Sequence, residues 1–204
     1  MRYLFNWNAP IIASTHELGT FYHGAQYVFR TRDMGVIWDK ISPDLTSNDT
    51  SRQRQAKSGG LSIDNSTAEN NTTISTIAES PINDQIIWAG TDDGNLQVTS
   101  DGGRTWQNVA RNIPELPAFT WCSHVEVSLH DPQTVFVAFD GHKQGDMNTH
   151  IFKSKDLGQT WQSLVTDDIR GYAHVIREDV KNPSLLYVGT EFGLFISLDG
   201  GTSW

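Results

Sequence analysis

Four segments of the chain, TRDMGVIW (31–38), TSDGGRTW (99–106), SKDLGQTW (154–161) and SLDGGTSW (197–204), share one pattern. In each segment, Ser or Thr is followed by Asp two positions later, then Gly two positions later, and Trp ends the segment. The Asp carboxylate can accept backbone N–H bonds inside a hairpin turn, and the Gly can take the positive φ that such a turn requires. One match would be weak evidence, but four matches indicate a repeated structural unit.

We call each of these segments a box and predict that its Asp, Gly and Trp are structural. The predicted structural residues are Asp33, Gly35, Trp38, Asp101, Gly103, Trp106, Asp156, Gly158, Trp161, Asp199, Gly201 and Trp204. Each Trp is expected to bury its ring against neighbouring strands. Removal of the Trp161 ring is therefore predicted to cost about 3–5 kcal/mol of stability.

Around each box, short strand-like segments recur in one order. The last unit is the clearest, with YAHVIRED, LLYVGT and LFISLD separated by short turns. Four short strands per unit, repeated radially, predict an all-β propeller of four-stranded antiparallel blades, with about four blades present. We place the blades at 9–43, 73–110, 122–166 and 171–204 of a single domain, with a polar interblade loop at 44–72.

The composition restricts the function classes. The net charge of −9, from 24 acidic and 15 basic residues, argues against a nucleic-acid partner, since phosphate binding needs a basic face. The single cysteine, Cys122, permits neither an intrachain disulfide nor a cysteine-based zinc motif, and no cofactor or metal is predicted. No segment approaches the roughly 20 apolar residues of a membrane span. The N-terminal stretch lacks the apolar run of a signal peptide.

Several stretches carry a family resemblance: FNWNAPI (5–11), ISPDLT (41–46), WAGTDDG (88–94), VAFDGH (137–142) and VGTEFGLFISLDGG (188–201). With the boxes, they resemble the Asp-box (bacterial neuraminidase repeat) propellers, which include sialidases, two-propeller xyloglucanases and sortilin-type receptor ectodomains. The chain is most similar to bacterial sortilin-like proteins, often labelled glycosyl hydrolase. This resemblance implies an incomplete propeller from a longer parent that is secreted, periplasmic or on the cell surface. The alternative is that residues 2–6 supply a missing outer strand and close four blades.

Candidate ligand-binding residues lie in the loops expected opposite the boxes, where the second strand of a blade turns into the third. They are Asp92, Asp93, Trp121, Asp140, His142, Asp146 and Glu191. Asp-Gly and Glu-x-Gly are also ordinary turn sequences, so this simpler interpretation stays open at 92–94 and 191–193. The loop from Asp140 to Asp146 is longer than a turn requires, and long loops on rigid scaffolds often bind ligands. Because it is a loop, replacing both aspartates is expected to leave stability nearly unchanged.

Three functions remain open at this stage. The first is a binding module for a peptide, a protein or a glycan, with the remaining blades of the parent as further partners. The second is part of a glycoside hydrolase, in which two carboxylates act as acid and base. The Arg-Ile-Pro motif of sialidases is absent, and xyloglucanases place their two acids on two propellers, so no catalytic residue is assigned. The third is a scaffold for a site elsewhere in the parent. His124, His130 and His174 are interpreted as structural histidines.

Overall fold

The computed structural model describes residues 3–54 and 70–204, which form four antiparallel β-sheets. Residues 55–69 of the predicted polar loop lie outside the described residues. Blade 1 contains β1 (Ile11–Ala13), β2 (Phe21–Gly24), β3 (Val28–Thr31) and β4 (Asp39–Lys40). Blade 2 contains β5 (Ile74–Glu79), β6 (Ile87–Thr91), β7 (Leu96–Thr99) and β8 (Gln107–Asn108). Blade 3 contains β9 (Trp121–Val127), β10 (Val135–Asp140), β11 (His150–Ser154) and β12 (Gln162–Ser163). Blade 4 contains β13 (Ala173–Glu178), β14 (Leu186–Thr190) and β15 (Gly193–Ser197).

Within every sheet the strands lie side by side in chain order. The first strands of the four blades, β1, β5, β9 and β13, line one central cavity. Strands β6 and β10 are buried on both faces because a blade packs on each side of them. This arrangement confirms the predicted all-β propeller, with four blades present and no α-helix among the described residues.

The boxes form the turns that the pattern predicts. In the second box, Asp101 Oδ1 accepts hydrogen bonds from Thr99 Oγ1 and from the backbone N–H groups of Arg104 and Thr105. Gly103 has φ of +97°, and a Cβ there would lie 2.8 Å from the carbonyl oxygen of Ile41. Glycine is therefore required both by the turn and by the close approach of blade 1. Hydrogen bonds of this kind lower the pKa of the aspartate in all four boxes.

Box tryptophans join neighbouring blades. In three places the Trp of one box packs in the same apolar cluster as an aromatic residue of the preceding blade's second strand. These pairs are Trp106 with Tyr22, Trp161 with Trp88, and Trp204 with Phe136. The rings of Trp88 and Trp161 meet edge to face, with centroids 6.4 Å apart. The propeller core is thus built between blades rather than inside each one.

Full burial of every box tryptophan, as expected from the sequence, is not observed. Trp38 of the first box is 37% exposed, while the other three are half-buried. The Trp38 indole donates to Gly35 O of its own box, whereas the Trp106 indole donates to Ile41 O of blade 1. The physical reason is that no described residue supplies a preceding blade against which Trp38 could pack.

A second kind of link between blades is a glutamate that accepts hydrogen bonds from the preceding blade, and it occurs between blades 1 and 2 and between blades 3 and 4. Glu79 of blade 2 accepts hydrogen bonds from Ser14 Oγ and Thr15 N of blade 1. Glu178 of blade 4 accepts the same pair of bonds from Ser128 Oγ and Leu129 N of blade 3. When the strand registers of the blades are matched, the residue of blade 3 at the position of these glutamates is Val127. Its side chain cannot accept hydrogen bonds, so blades 2 and 3 lack this link. Blades 1–2 and 3–4 are therefore two similar pairs, which the box motif alone does not indicate.

Residues 3–6 do not close the ring. Tyr3 packs edge to face on Tyr27 and Phe29 of blade 1, and Leu4 N donates to Gln26 Oε1. Blade 4 has three strands, and its edge strand β15 exposes Leu194 and Ile196. The alternative of closure by residues 2–6 is therefore not supported by the described part of that segment.

Candidate functional site

Three carboxylates occupy one structural position on the face opposite the boxes. Asp92, Asp140 and Glu191 each follow or end the second strand of their blade, opposite the start of the first strand. Thus Asp140 pairs with Trp121, while Asp92 N donates to Thr73 O and Glu191 N donates to Tyr172 O. The predicted ligand-binding loops do share one rim of the propeller, but the surroundings of the three acids differ.

In blade 2, the acidic side chains accept hydrogen bonds from the segment that connects blade 1 to blade 2. Asp92 accepts bonds from Thr73 N and Thr73 Oγ1, at 2.8 and 2.7 Å. Burial raises the pKa of Asp92 to about 6, although the bonds from Thr73 act in the opposite direction. Asp93 is buried and accepts a 2.7 Å bond from Ser47 N. Both carboxylates therefore already have partners within the chain.

In blade 3, Asp140 is the centre of a hydrogen-bonded cluster. Its side chain is 0% exposed, and Oδ1 lies 2.6 Å from His142 Nδ1 and accepts a bond from His142 N. His142 begins a short 3-10 helix, His142–Gln144, which returns the loop towards Gly141. A buried carboxylate with these partners is part of the fold, so the structure predicts a loss of stability when Asp140 is replaced, in contrast to the sequence-based expectation for Asp140 and Asp146.

Blade 4 completes this cluster. His174 Nδ1 lies 3.0 Å from Asp140 Oδ2, within ion-pair distance but off the direction that a hydrogen bond requires. His174 occupies a β-bulge, where blades 2 and 3 carry Ser75 and Ser123. Tyr172 stacks on the His142 ring with centroids 4.6 Å apart, and meets the His174 ring edge to face at 5.0 Å. One buried carboxylate therefore lies between two partly exposed imidazoles, and both rings pack on the same tyrosine.

The remaining predicted residues surround this cluster. Trp121 carries Lys143 Nζ over its ring, 4.3 Å from the centroid. Asp146 lies inside the loop, where its bonds from His150 and Asn148 lower its pKa despite partial burial. Glu191 is exposed and lies next to Gly171, where a Cβ would be 2.7 Å from Glu191 Cγ.

We call Trp121, Asp140, His142, Tyr172 and His174 the rim site. The structure brings three of the predicted residues into it and leaves Asp92 and Asp93 in blade 2. Tyr172 and His174 were missed as site residues, since His174 was interpreted as structural. The signal that could identify them lies in the start of the inner strand, YAHVIRED. Tyr172 and His174 stand there at the positions where TISTIAE of blade 2 has Thr73 and Ser75.

The central cavity has a volume of about 600 Å³ and a mixed lining. Arg177 Nη1 pairs with Glu126 Oε2 at 2.7 Å, and Arg177 is largely exposed to the cavity. His124 lies beside this pair with a buried Nδ1 that has no partner among residues 3–54 and 70–204. Burial, followed by the nearby Arg177 charge, lowers the pKa of His124 to about 4.

This lowered pKa gives a pH prediction. The folded pKa of His124 is below its unfolded value of about 6.5, so its contribution to stability is complete above pH 6.5 and is lost as the pH falls towards 4. We expect the free energy of unfolding to fall by about 2–3 kcal/mol across this window. Urea unfolding at a series of pH values, compared with His124→Gln, measures the effect.

The Gln variant should remove that part of the pH dependence. Asp92, whose pKa is raised to about 6, acts in the opposite direction and remains in both proteins. His16→Gln is the control for the slope of the pH profile, since His16 is exposed; its ring lies 2.7 Å from Ser80 O, so the absolute stability of this variant is not compared. Identical pH profiles for the original chain and His124→Gln would contradict the assignment.

Among the described residues, no group of three or more His, Cys, Asp or Glu side chains is arranged to hold a metal ion. In the same part of the chain, no helix is long and apolar enough to cross a membrane.

Comparison with known proteins shows the fold. No family model and no curated protein matches this sequence. Among solved structures, an ancestral GH74 enzyme is similar over 99% of this chain, with a TM-score of 0.69 and 15% identity. The GH74 xyloglucanase from Xanthomonas campestris is similar over 95% (TM-score 0.65, 17% identity), and the Niastella koreensis GH74 enzyme over 100% (TM-score 0.64, 15% identity). The chain spans 24%, 29% and 28% of these three proteins, respectively.

Proposed function

We propose that this chain is the ligand-binding part of a propeller protein, and that the rim site holds a peptide, protein or glycan ligand. The observation that carries the proposal is the buried Asp140 carboxylate, which is hydrogen-bonded to His142 and lies 3.0 Å from His174 Nδ1 while both imidazoles stay partly exposed. Long loops on rigid scaffolds are where binding residues concentrate. A peptide or a sugar could stack on the aromatic surface and accept or donate hydrogen bonds at the imidazoles.

The proposal is tested by screening the chain against a glycan array and a peptide library, followed by titration of the ligands found. His142→Ala combined with His174→Ala is expected to weaken binding at least about tenfold, through the loss of two polar contacts. His16→Ala, which removes a histidine outside the rim site, is the control. Equal binding by the double variant, or equal loss in the control, would place the ligand elsewhere.

A glycoside hydrolase is the second candidate. Asp92 is its candidate acid, because a carboxyl group whose pKa is raised to about 6 is suited to general acid catalysis. Its oxygens accept bonds from Thr73, so catalysis requires this carboxyl group to be released from Thr73 towards a substrate. One structural neighbour is a xyloglucanase, from which only the fold carries over at 17% identity. Turnover of chromogenic glycosides that disappears in Asp92→Asn would favour this candidate over simple binding.

We further propose that the chain belongs to a longer sortilin-like Asp-box protein that acts outside the cytoplasm, with other blades as its neighbours. Support comes from the apolar surface of blade 4, where Phe192 is 70% and Leu194 is 65% exposed. In blades 2 and 3 the second strands are buried on both sides by adjacent blades. Mass spectrometry of the native protein, with a parent longer than 204 residues as the expected result, tests this proposal.

A further inference from the structure

A groove between blades 1 and 2, on the box face, has three arginines in its lining. Arg30 and Arg32 come from blade 1, and Arg104 comes from the box of blade 2. The groove has a volume of about 280 Å³. In a chain with a net charge of −9 and 15 basic residues, three arginines around one small groove form a concentrated positive charge.

The fold itself does not require these arginines. The groove between blades 2 and 3 is the same structural position, and it is lined by Val98, Ser100 and Gln159. Val98 pairs with Trp88 as Arg30 pairs with Tyr22, which establishes the equivalence of the two grooves. The groove between blades 2 and 3 therefore forms without any arginine or lysine in its lining, which shows that the propeller fold does not need positive charge at this position.

The arginine charges are incompletely compensated. Among residues 3–54 and 70–204, neither Arg30 nor Arg104 forms an ion pair within 4 Å, and the buried Nε of Arg30 has no acceptor. Arg32 Nε lies 3.5 Å from Glu17 Oε2, but both side chains are more than half exposed, so this pair is weak.

The acid in the lining of the groove, Asp101, is used by its own turn. Asp101 accepts hydrogen bonds from Thr99 Oγ1, Arg104 N, Thr105 N and Thr105 Oγ1. These bonds lower its pKa, so it stays ionised, yet its oxygens point into the turn's own donors. Apart from the weak pair of Arg32 with Glu17, the guanidinium groups of the groove have no carboxylate partner among residues 3–54 and 70–204, and Arg30 interacts with the Tyr22 hydroxyl group.

We propose that this groove binds an oxyanion ester, the sulfate or phosphate group of a modified sugar. Guanidinium groups present planar pairs of N–H donors that suit sulfate and phosphate oxygens. The groove is large enough for the anion and part of the sugar ring that carries it. It lies on the face opposite the rim site, so this inference does not depend on the proposed function.

The test uses isothermal titration calorimetry of the full chain with glucose 6-sulfate and glucose 6-phosphate at constant ionic strength. We expect saturable binding of at least one probe. Arg32→Ser with Arg104→Gln, which copies the residues of the neighbouring groove, should weaken binding at least about tenfold by removing two charge-assisted contacts. Arg111→Gln with Lys181→Gln, at two exposed sites outside the groove, controls for the same change in net charge.

The two probes identify the source of the anion. Binding of the phosphate should strengthen between pH 5 and 7, as its second ionisation near pH 6 is completed, whereas binding of the sulfate should not. Unchanged thermal unfolding of the double variant separates loss of binding from loss of folding. Absence of saturable binding of both probes, or equal affinity in the double variant, overturns the proposal.

Discussion

Replacement of Trp88 by alanine is expected to lower the free energy of unfolding by about 4 kcal/mol, the largest loss predicted for a single change in this chain. Trp88 is 1% exposed and packs in a cluster with Val98, Val125 and the ring of Trp161. Its removal leaves a cavity between blades 2 and 3, where neither sheet can move inwards without disturbing its own strands. Urea unfolding followed by circular dichroism measures the change.

Two box tryptophans provide the comparison. Trp161→Ala is expected to cost about 2 kcal/mol, less than the sequence-based value, because part of the ring is already exposed. Trp38→Ala is expected to cost below about 1 kcal/mol, since its ring is 37% exposed and has no preceding blade. A loss for Trp38→Ala as large as that for Trp88→Ala would contradict the conclusion that the core lies between blades.

Replacement of Glu79 by alanine is expected to cost about 3 kcal/mol. Glu79 is 7% exposed and accepts bonds from Ser14 Oγ, Thr15 N and Tyr22 Oη, at 3.0, 2.9 and 2.8 Å. Its loss leaves three donors, two of them from the first turn of blade 1, without an acceptor. The same denaturation experiment detects this change.

Glu79→Gln is the matched variant, because its amide oxygen can still accept the bond from Thr15 N while its NH2 group donates to the Ser14 and Tyr22 hydroxyl groups, which can rotate to accept. We expect it to cost about 1 kcal/mol. A double-mutant cycle with Ser14→Ala measures the coupling between blades 1 and 2. Full additivity in that cycle, or equal losses for Gln and Ala, would show that the carboxylate does not link the blades.

The pairing of blades has a consequence for the surface as well as for stability. Blades 1 and 3 both carry the Ser residue that bonds the next blade's glutamate. Each also has one basic residue on its third strand and one in the box that follows, Arg30 and Arg32 in blade 1 and Lys153 and Lys155 in blade 3. Blade 2 has Val98 and Ser100 at these two positions, and blade 4 has Ile196 and Leu198. These two positions therefore repeat with the same two-blade period as the links.

The candidate site was partly predictable. Asp140 and His142 can be identified from the length of their loop, because a nine-residue connection exceeds what a hairpin needs. The burial of Asp140 was not predictable, since it depends on Tyr172 and His174 arriving from the next blade. Asp92 and Asp93 looked equivalent to Asp140 in sequence, but their carboxylates bond Thr73 and Ser47 of the connection between blades 1 and 2.

The sequence by itself determined the repeat, the turn chemistry and the fold class. The box aspartates and glycines act through hydrogen bonds and backbone angles within a few residues, so their roles can be deduced without knowing any neighbour. Tertiary structure alone decided which box tryptophan is buried, which acids are free to meet a ligand, and where Arg30, Arg32 and Arg104 converge. These properties depend on the face that one blade presents to the next, and residues far apart in the chain come together only when the blades pack.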